Sequence, residues 1–321
     1  MLDRDHERAE ELLTQVVELD STGVEPYLAL ARFYRMRGEI GRAIRVHQNL
    51  LLRQDLTPEQ TITAMADLAA DFRQGGFLQR AIASYEEVLA RDPKHVESLR
   101  ALVSLAGAVR DYPRALAAQK RLAKLDKTNA AVERARLWVD MAEAALAEGR
   151  NDDARKAVRR ALRTNPQSVR GWIVLGSLEA ERGKSKAALA AWSKVPAIDR
   201  RSAALVYPQI ESAYAALDKP RDYEAYLRGL IEERGDDVHA RLALARTLAA
   251  RGETEEALAE LRRVLERSPD DLETRAALGR LLISERRDSE SSKATAELLD
   301  VLERRGLLRS EKSTFQRDFL S

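Results

Sequence analysis

The stretch VRGWIVLGSLEAERGKSKAALAAWSKVPAIDR, residues 169–200, contains two amphipathic segments separated by a glycine. Its apolar and small residues recur at the three- and four-residue spacing of one helix face. In the first segment they are Trp172, Leu175 and Gly176. In the second they are Ala188, Trp192 and Val195. Gly183 interrupts the pattern between them, and the small residues Gly176 and Ala188 allow two backbones to approach closely. The stretch therefore predicts a pair of packed antiparallel helices.

The same pattern recurs along the chain around a small residue near the start of each second helix. These landmark positions are Ala9, Ala43, Ala81, Ala115, Ala154, Ala188, Tyr223 and Ala257, separated by 34 to 39 residues. A helical pattern with a period of 34 is typical of the tetratricopeptide repeat, in which each unit is one helix pair. We therefore predict an all-α fold, a right-handed superhelical solenoid of about eight helix pairs. Such arrays bind other proteins on a long curved surface and have no enzyme pocket by default.

Glycine and proline mark the ends of the predicted helices. Gly38, Gly76, Gly149, Gly183 and Gly252 occupy the turn between paired helices, where a left-handed cap is needed. Two units depart from the pattern. The unit from Leu99 to Lys127 lacks the turn glycine, and the unit from Tyr207 to Gly235 carries Tyr223 where alanine is usual.

The repeat pattern predicts the domain organisation. Residues 1–285 form the solenoid, with a partial first repeat at 3–20 and full repeats from about residue 24. Residues 286–321 form a divergent C-terminal capping helix and tail, because Arg286 to Lys293 is polar and is expected to exceed the repeat frame.

Three further positions disturb the repeat frame. Extra residues at 55–60 (DLTPEQ) and 127–131 (KTNAA) are expected to lengthen two loops between repeats. Pro208 lies inside a predicted first helix, so that helix either begins near Tyr207 or is kinked.

Composition excludes several classes of function. The chain has 321 residues, a formal net charge of +2 and no cysteine, so thiolate metal sites, disulfides and catalytic thiols are excluded. The four histidines lack metal-ligand spacing, and no carboxylate pair is placed in a pocket; we therefore predict no enzyme, cofactor or metal. No apolar run reaches the roughly 18 residues that span a bilayer. The basic run from Arg155 to Arg163 has no interleaved aromatics, so no nucleic-acid partner is expected.

The candidate binding residues lie on the faces of first helices that should point into the groove. Those positions hold Glu25, Leu28, Arg32, Arg35, Thr63, Ala66, Ala70, Arg73, Glu97, Arg100, Arg136, Glu143, Arg170, His239, Arg246 and Arg280. The candidate partner-binding residues among them are Arg32, Arg35, Arg73, Leu28, Arg100 and Arg136.

Scattered arginines suit acidic or carboxylate-bearing segments of other proteins. Alternatively, any one arginine is solvated or paired with an acidic neighbour. As surface residues, Arg32 and Arg35 are expected to tolerate charge reversal without loss of stability. Arg42 and Arg45, on the paired helix, are expected to brace the repeat through Glu39 or loop carbonyls.

The stretch EPYLALARFYRMRGEIGRAIRVHQNLL, residues 25–51, resembles the first full repeat of the lipopolysaccharide assembly protein B family. That family reads L-x-x-x-[YF]-R-x-R-G-E-[IV]-x-R-A-I-R-[IV]-H-Q, and the match runs from Leu30 to Gln48. The family-motif residues singled out are Arg42, Arg45, His47 and Gln48. The following FRQGGFLQRAIASYEEVL is similar to the family's next repeat.

The resemblance implies a cytoplasmic scaffold, associated with the inner membrane when the full-length protein carries an N-terminal membrane helix. Its implied partners are a membrane AAA+ protease and the deacetylase of the lipid A pathway, whose degradation the family controls. The family's transmembrane helix and its C-x-x-C zinc motifs have no match here, so direct membrane insertion by this chain and metal binding are not carried over. The alternative is a tetratricopeptide adaptor for another bacterial assembly, such as secretion, pili or motility.

Overall fold

A computed structural model of the chain describes residues 2–20, 23–234 and 237–307. Within these residues the regular structure is helical, with no β-strand. The chain divides into two compact units, residues 1–171 (unit 1) and 172–321 (unit 2). Each unit is described by itself.

Unit 1 is a run of antiparallel helix pairs preceded by one single helix, α1 (Leu2–Leu19). Successive pairs pack as α2 on α3, α4 on α5, α6 on α7 and α8 on α9. The bounds are α2 Glu25–Met36, α3 Ile40–Leu51, α4 Pro58–Gln74, α5 Leu78–Arg91, α6 Val96–Ala108, α7 Tyr112–Leu125, α8 Ala130–Ala147 and α9 Asn151–Thr164. Each pair also contacts the next, so a core of small and aliphatic side chains runs through the unit.

Unit 2 repeats the arrangement from α10 onward, a helix that begins in the last residues of unit 1. The bounds are α10 Val169–Glu181, α11 Ser185–Trp192, α12 Val195–Ile198, α13 Tyr207–Ala216, α14 Pro220–Arg234, α15 Val238–Ala250, α16 Thr254–Arg267, α17 Leu272–Ser284 and α18 Asp288–Arg304, with a 3-10 turn at Ala203–Leu205. The helix α13 begins at Tyr207, which places Pro208 in its first turn, where a missing N–H costs nothing.

Seven of the eight landmark residues are buried, and Ala9 of α1 is half-buried. Ala43, Ala81, Ala115, Ala154, Ala188 and Ala257 are all 0% exposed, and Tyr223 is 1% exposed. Tyr223 is accommodated because its hydroxyl donates to the backbone carbonyl of Tyr207 at 3.2 Å. The 34-residue period therefore marks the inside of the structure.

The close approach predicted at Gly176 is present in α10. A Cβ built on Gly176 would lie 2.2 Å from Nε1 of Trp192, and that indole donates to the carbonyl of Ile173 at 3.2 Å. Only glycine leaves room for the tryptophan of the paired helix. Gly171 and Gly176 are thus packing residues within one helix.

The turns between paired helices adopt a left-handed conformation with or without glycine. The predicted glycines have φ between 69° and 80°, at Gly38, Gly76, Gly149, Gly183 and Gly252. The unit without a turn glycine uses Arg110 at φ 61°, and Asp218 and Arg286 take the same position at φ 57° and 56°. Each of these eight residues stands five positions before the landmark of its repeat, so the turn is a property of the fold and not of glycine.

The expectation that the extra residues at 127–131 lengthen a loop is wrong, because they lengthen α8, which has 18 residues where α6 has 13. The extra residues at 55–60 lengthen both the loop at 52–57, which has six residues where the loops before α6 and α8 have four, and α4, which has 17 residues where α2 has 12. Four or five residues are about one helical turn, so they extend a helix without disturbing its packed face. The α4 start is fixed by a capping box between Thr57 and Gln60.

The segment from Arg286 to Lys293 keeps the repeat frame and does not exceed it. Ser291 stands 34 residues after Ala257, is 8% exposed and occupies the landmark position of α18. The helix α18 packs on α17 through Ala294 and Val301. The division of the chain at residue 285 stays a prediction, and the tail predicted beyond Leu307 lies outside the described residues.

Candidate protein-binding site

A concave cleft of about 420 Å³ lies in unit 1 between the first helices α2, α4 and α6; we call it the first cleft. Seven of its lining residues are groove positions expected from the repeat pattern, namely Arg32, Arg35, Thr63, Ala66, Ala70, Arg73 and Glu97. The others are Asp67, Tyr85, His95 and Ala101. The repeat phase therefore identifies which faces of these helices meet in one concavity.

The charges of the first cleft are largely neutralised within the protein. Arg32 donates from Nε and Nη2 to Oδ2 of Asp67, at 3.0 and 2.8 Å. Arg35 donates to Oδ1 of Asp67 at 2.8 Å, and its Nε makes an ion-pair contact of 3.0 Å with Oδ1 of Asp71. Asp71 in turn contacts Nδ1 of His47 at 2.6 Å, and both of these side chains are 0% exposed. A polar network thus joins α2, α3 and α4.

The network controls the ionisation of Asp67. Burial alone raises the pKa of this carboxyl, but the hydrogen bonds from Arg35 and Arg32 outweigh burial, so its pKa lies below the ordinary value. Because the folded-state pKa is lowered, the stabilisation is complete above the unfolded-state value of 3.8 and is lost as the pH falls through the lower folded-state value. Asp67 is therefore a permanent anion near neutral pH.

The expectation that Arg32 and Arg35 are equivalent surface residues is wrong. The Arg32 side chain is 51% exposed and keeps donors available to a partner, whereas that of Arg35 is 16% exposed and is held by two carboxylates. Charge reversal at Arg35 would place a third carboxylate beside Asp67 and Asp71. Such a change breaks a partly buried network and costs stability.

The placement of Leu28 in the groove is also wrong. Leu28 is 2% exposed and packs in the core with Val24, Leu50 and Ala64. It is buried because the face of α2 that carries it is covered by α3 and α4. A residue without exposed surface has nothing to offer a partner, so Leu28 is not part of the site.

The three remaining candidates are exposed, and they differ in their partners. Arg100 pairs with Asp126 at 2.8 Å, and Arg136 pairs with Glu133 at 3.2 Å, both as exposed ion pairs that contribute little. Arg73 lines the first cleft and has no ion pair in the described part of the chain. Arg73 is therefore the cation of the first cleft that is most available to an incoming carboxylate.

Of the family-motif residues, His47 is buried, Arg42 is partly exposed but bonded as the sequence predicted, and bracing by Arg45 stays a prediction. Arg42 braces α1, α2 and α3, since it bonds Glu39 at 2.8 Å and Glu10 at 2.5 Å and lies 4.0 Å from the Tyr34 ring centroid. His47 is the buried network residue described above, with its Nδ1 satisfied by Asp71 as a packed histidine requires. The other two, Arg45 and Gln48, are exposed on α3.

Sequence reasoning missed Asp67 and Asp71, the acceptors of the network. Their signal is a pair of aspartates four residues apart among the apolar and small residues in the middle of α4, PEQTITAMADLAADFRQ. Carboxylates at this spacing share one face of a helix. A buried face that carries them needs cationic or histidine partners, and the preceding repeat supplies Arg35 and His47.

Residues 2–20, 23–234 and 237–307 contain no helix that is both long enough and apolar enough to cross a membrane. They also contain no cluster of three or more His, Asp or Glu side chains arranged to hold a metal ion.

Comparison with known proteins identifies the repeats. Two family models described as tetratricopeptide repeat match the chain, one over residues 67–131 and 139–202 and the other over residues 215–281. Together they cover more than half of it. The chain belongs to the tetratricopeptide-repeat family.

The repeat region is similar to lipopolysaccharide assembly protein B. Identity to the Escherichia coli (strain K12) protein is 26% over 257 residues, which are 80% of this chain and 66% of that protein. The Haemophilus influenzae protein is also 26% identical, over 74% of this chain and 59% of its own length. The chain thus spans 59–66% of the length of these curated relatives.

Solved structures of similar helical arrays match with low scores. The crystal structure of MamA has 23% identity and a TM-score of 0.39, covering 56% of this chain and 94% of its own. A tetratricopeptide repeat protein from Parabacteroides merdae has 16% identity and a TM-score of 0.40, covering 81% of this chain and 98% of its own. The fold is therefore assigned from the helix pairs and the family models.

Proposed function

We propose that this chain is a non-catalytic protein-binding scaffold that regulates lipopolysaccharide synthesis. Its partners in this role are a membrane AAA+ protease and the deacetylase of the lipid A pathway. The proposal is supported by the similarity to lipopolysaccharide assembly protein B across 80% of the chain. A scaffold needs a surface that can hold a partner, and the first cleft supplies one.

The observation that carries the binding role is the chemistry of the first cleft. Three arginines line it, and the internal ion pairs with Asp67 and Asp71 engage only Arg32 and Arg35. Arg73 is exposed and unpaired among the described residues, and Arg32 keeps half of its side chain exposed. A protein segment with Asp or Glu side chains completes this arrangement through charge-assisted hydrogen bonds.

The binding experiment compares two charge reversals in the intact chain. Tagged wild type, Arg73→Glu and Arg45→Glu are used to capture proteins from a detergent-solubilised lysate of a Gram-negative bacterium, with identification by mass spectrometry. Arg45 is the matched control because it is exposed, lies on the paired helix α3 and does not line the first cleft.

Wild type and Arg45→Glu are expected to retain the protease and the deacetylase, and Arg73→Glu is expected to lose at least one of them. Reversal of an anchoring arginine commonly costs about 2 kcal/mol or more of binding free energy. Equal capture by all three proteins would exclude the first cleft as the binding surface. Capture of components of a different bacterial assembly would exclude the role in lipopolysaccharide synthesis.

A further inference from the structure

A second cleft, of about 470 Å³, opens in unit 2 between α13, α15 and α17. We define it by Arg246, Ala249, Leu261, Ala277, Arg280 and Leu281. Its volume falls within the range of ligand pockets, about 300–1,000 Å³. Most of its wall is alanine and leucine, so its chemistry differs from that of the first cleft.

The second cleft lies at the repeat positions that carry the polar network in unit 1. Arg246 stands eleven residues before its landmark Ala257, as Arg32 stands eleven before Ala43. The other network residues have apolar counterparts in unit 2 at equal distances from their landmarks. Ala249 replaces Arg35, Ala277 replaces Asp67, Leu281 replaces Asp71 and Leu261 replaces His47.

These replacements explain why the second cleft is apolar and slightly larger than the first, about 470 Å³ against about 420 Å³. In unit 1 the long side chain of Arg35 and the two aspartates occupy the space between neighbouring first helices. In unit 2 the alanines at 249 and 277 end at Cβ, so the same space stays unfilled. The alanines and Leu281 are only half-buried, which leaves apolar surface accessible from solvent.

The replacements also leave no carboxylate at the repeat positions of Asp67 and Asp71; the carboxylate that lines the second cleft is Glu273, at the repeat position that Glu97 holds in the first cleft. Arg32 has Asp67 on the next first helix, whereas Arg246 faces the position of Ala277 and pairs instead with Glu211 at 3.1 Å, an exposed contact of little strength. Arg280, at the equivalent position of α17, has no ion pair among the residues that the structure describes. Two arginines therefore border an apolar surface.

We propose that the second cleft binds a short amphipathic helical segment of a partner protein that carries aliphatic side chains next to an Asp or Glu. The aliphatic side chains occupy the space above Ala249, Ala277 and Leu281, and the carboxylate bonds Arg280 and Arg246. The partner thus supplies the carboxylate that Asp67 supplies within unit 1. The cleft follows α15 from His239 to Ala249, about 15 Å, a length that suits two to three turns of helix.

The test selects peptides from a display library of random sequences against the intact chain, and the enriched sequences are resynthesised as C-terminal amides. Blocking the terminal carboxylate ensures that only side-chain carboxylates are tested. Affinity is then measured by fluorescence anisotropy for wild type, Arg280→Glu, Ala277→Leu and Arg73→Glu. Arg280→Glu removes the cation, Ala277→Leu fills the cleft, and Arg73→Glu changes only the first cleft.

Enriched peptides are expected to combine aliphatic residues with Asp or Glu, and to lose about tenfold or more in affinity for Arg280→Glu and Ala277→Leu. Arg73→Glu is expected to bind them as wild type does, which separates this proposal from the proposed function. Melting curves are used to check that each variant is folded. If Ala277→Leu does not fold, the comparison of wild type with Arg280→Glu still tests the proposal, because Arg280 is exposed. No enrichment, enrichment of basic peptides, or equal binding by wild type and Arg280→Glu would overturn the proposal.

Discussion

Asp71 joins three helices in unit 1 although its carboxyl group lies in the core. Its side chain is 0% exposed and touches His47 of α3 and Arg35 of α2. A buried charge is tolerated only when it is paired, and a buried pair favours one specific arrangement more than it adds stability. The network thus specifies how the first two full repeats of unit 1 dock on each other.

Replacement of Arg35 by glutamate is expected to destabilise the protein. The change removes a cation held by Asp67 and Asp71 and adds a like charge beside them. Breaking a buried ion pair costs about 3 kcal/mol, so thermal unfolding followed by circular dichroism should shift to a clearly lower temperature. The control is Arg136→Glu, because Arg136 is 53% exposed and its ion pair among the described residues is with the exposed Glu133. Equal melting temperatures for the two variants would mean that the network does not stabilise the fold.

The turn between paired helices requires one residue in the left-handed conformation. At Arg110, Asp218 and Arg286 that residue is not glycine, so its backbone is strained. Arg110 replaces glycine at φ 61° and is exposed, and Arg286 does so at φ 56°. A left-handed conformation is costly for a residue with a Cβ. These positions persist because packing of the helices on both sides determines the turn.

Arg110→Gly is expected to raise stability by about 1 kcal/mol, because the strain of the left-handed residue exceeds the entropy that glycine loses on folding. The measurement is the midpoint of chemical denaturation. Gly76→Ala is the reverse control, since Gly76 has φ 77° and an added Cβ there meets no atom within 4 Å. Its destabilisation therefore reports backbone strain alone. A lower midpoint for Arg110→Gly would show that the arginine side chain contributes more than its backbone costs.

At the scale of the whole chain, one repeat pattern carries two kinds of surface. The first cleft is charged and largely neutralised by its own aspartates, and the second is apolar and bordered by arginines. Because each repeat contacts mainly its neighbours, the residues of one cleft can change without altering the other. A scaffold built in this way can hold two chemically different partners.

Metal removal is expected to leave the melting temperature of the whole chain unchanged. The chain contains no cysteine, and its described residues contain no cluster of three or more metal-ligating side chains. A protein that binds a metal in its folded state loses stability when the metal is withdrawn. Thermal melting with and without a chelator is the measurement, and a fall of several degrees with chelator would reveal a metal site.

The amino-acid sequence determined the repeat, the helix pairs, the turns that carry glycine and the buried landmarks from Ala43 to Ala257. These are local properties, because a spacing of three or four residues decides which face of a helix is apolar and glycine marks the turn. The position of each residue within the repeat also predicted seven of the side chains on α2, α4 and α6 that line the first cleft.

Only the tertiary structure decided which of those side chains are available to a partner. Arg35 is neutralised by residues more than thirty positions away, and Leu28 is covered by the helices that pack on α2. Arg32 has Asp67 on the next first helix, whereas the equivalent residue for Arg246 is Ala277. This difference depends on contacts between repeats, and the spacing of residues within one helix does not predict it. For that reason the apolar cleft of unit 2 is defined by the tertiary structure and not by the sequence pattern.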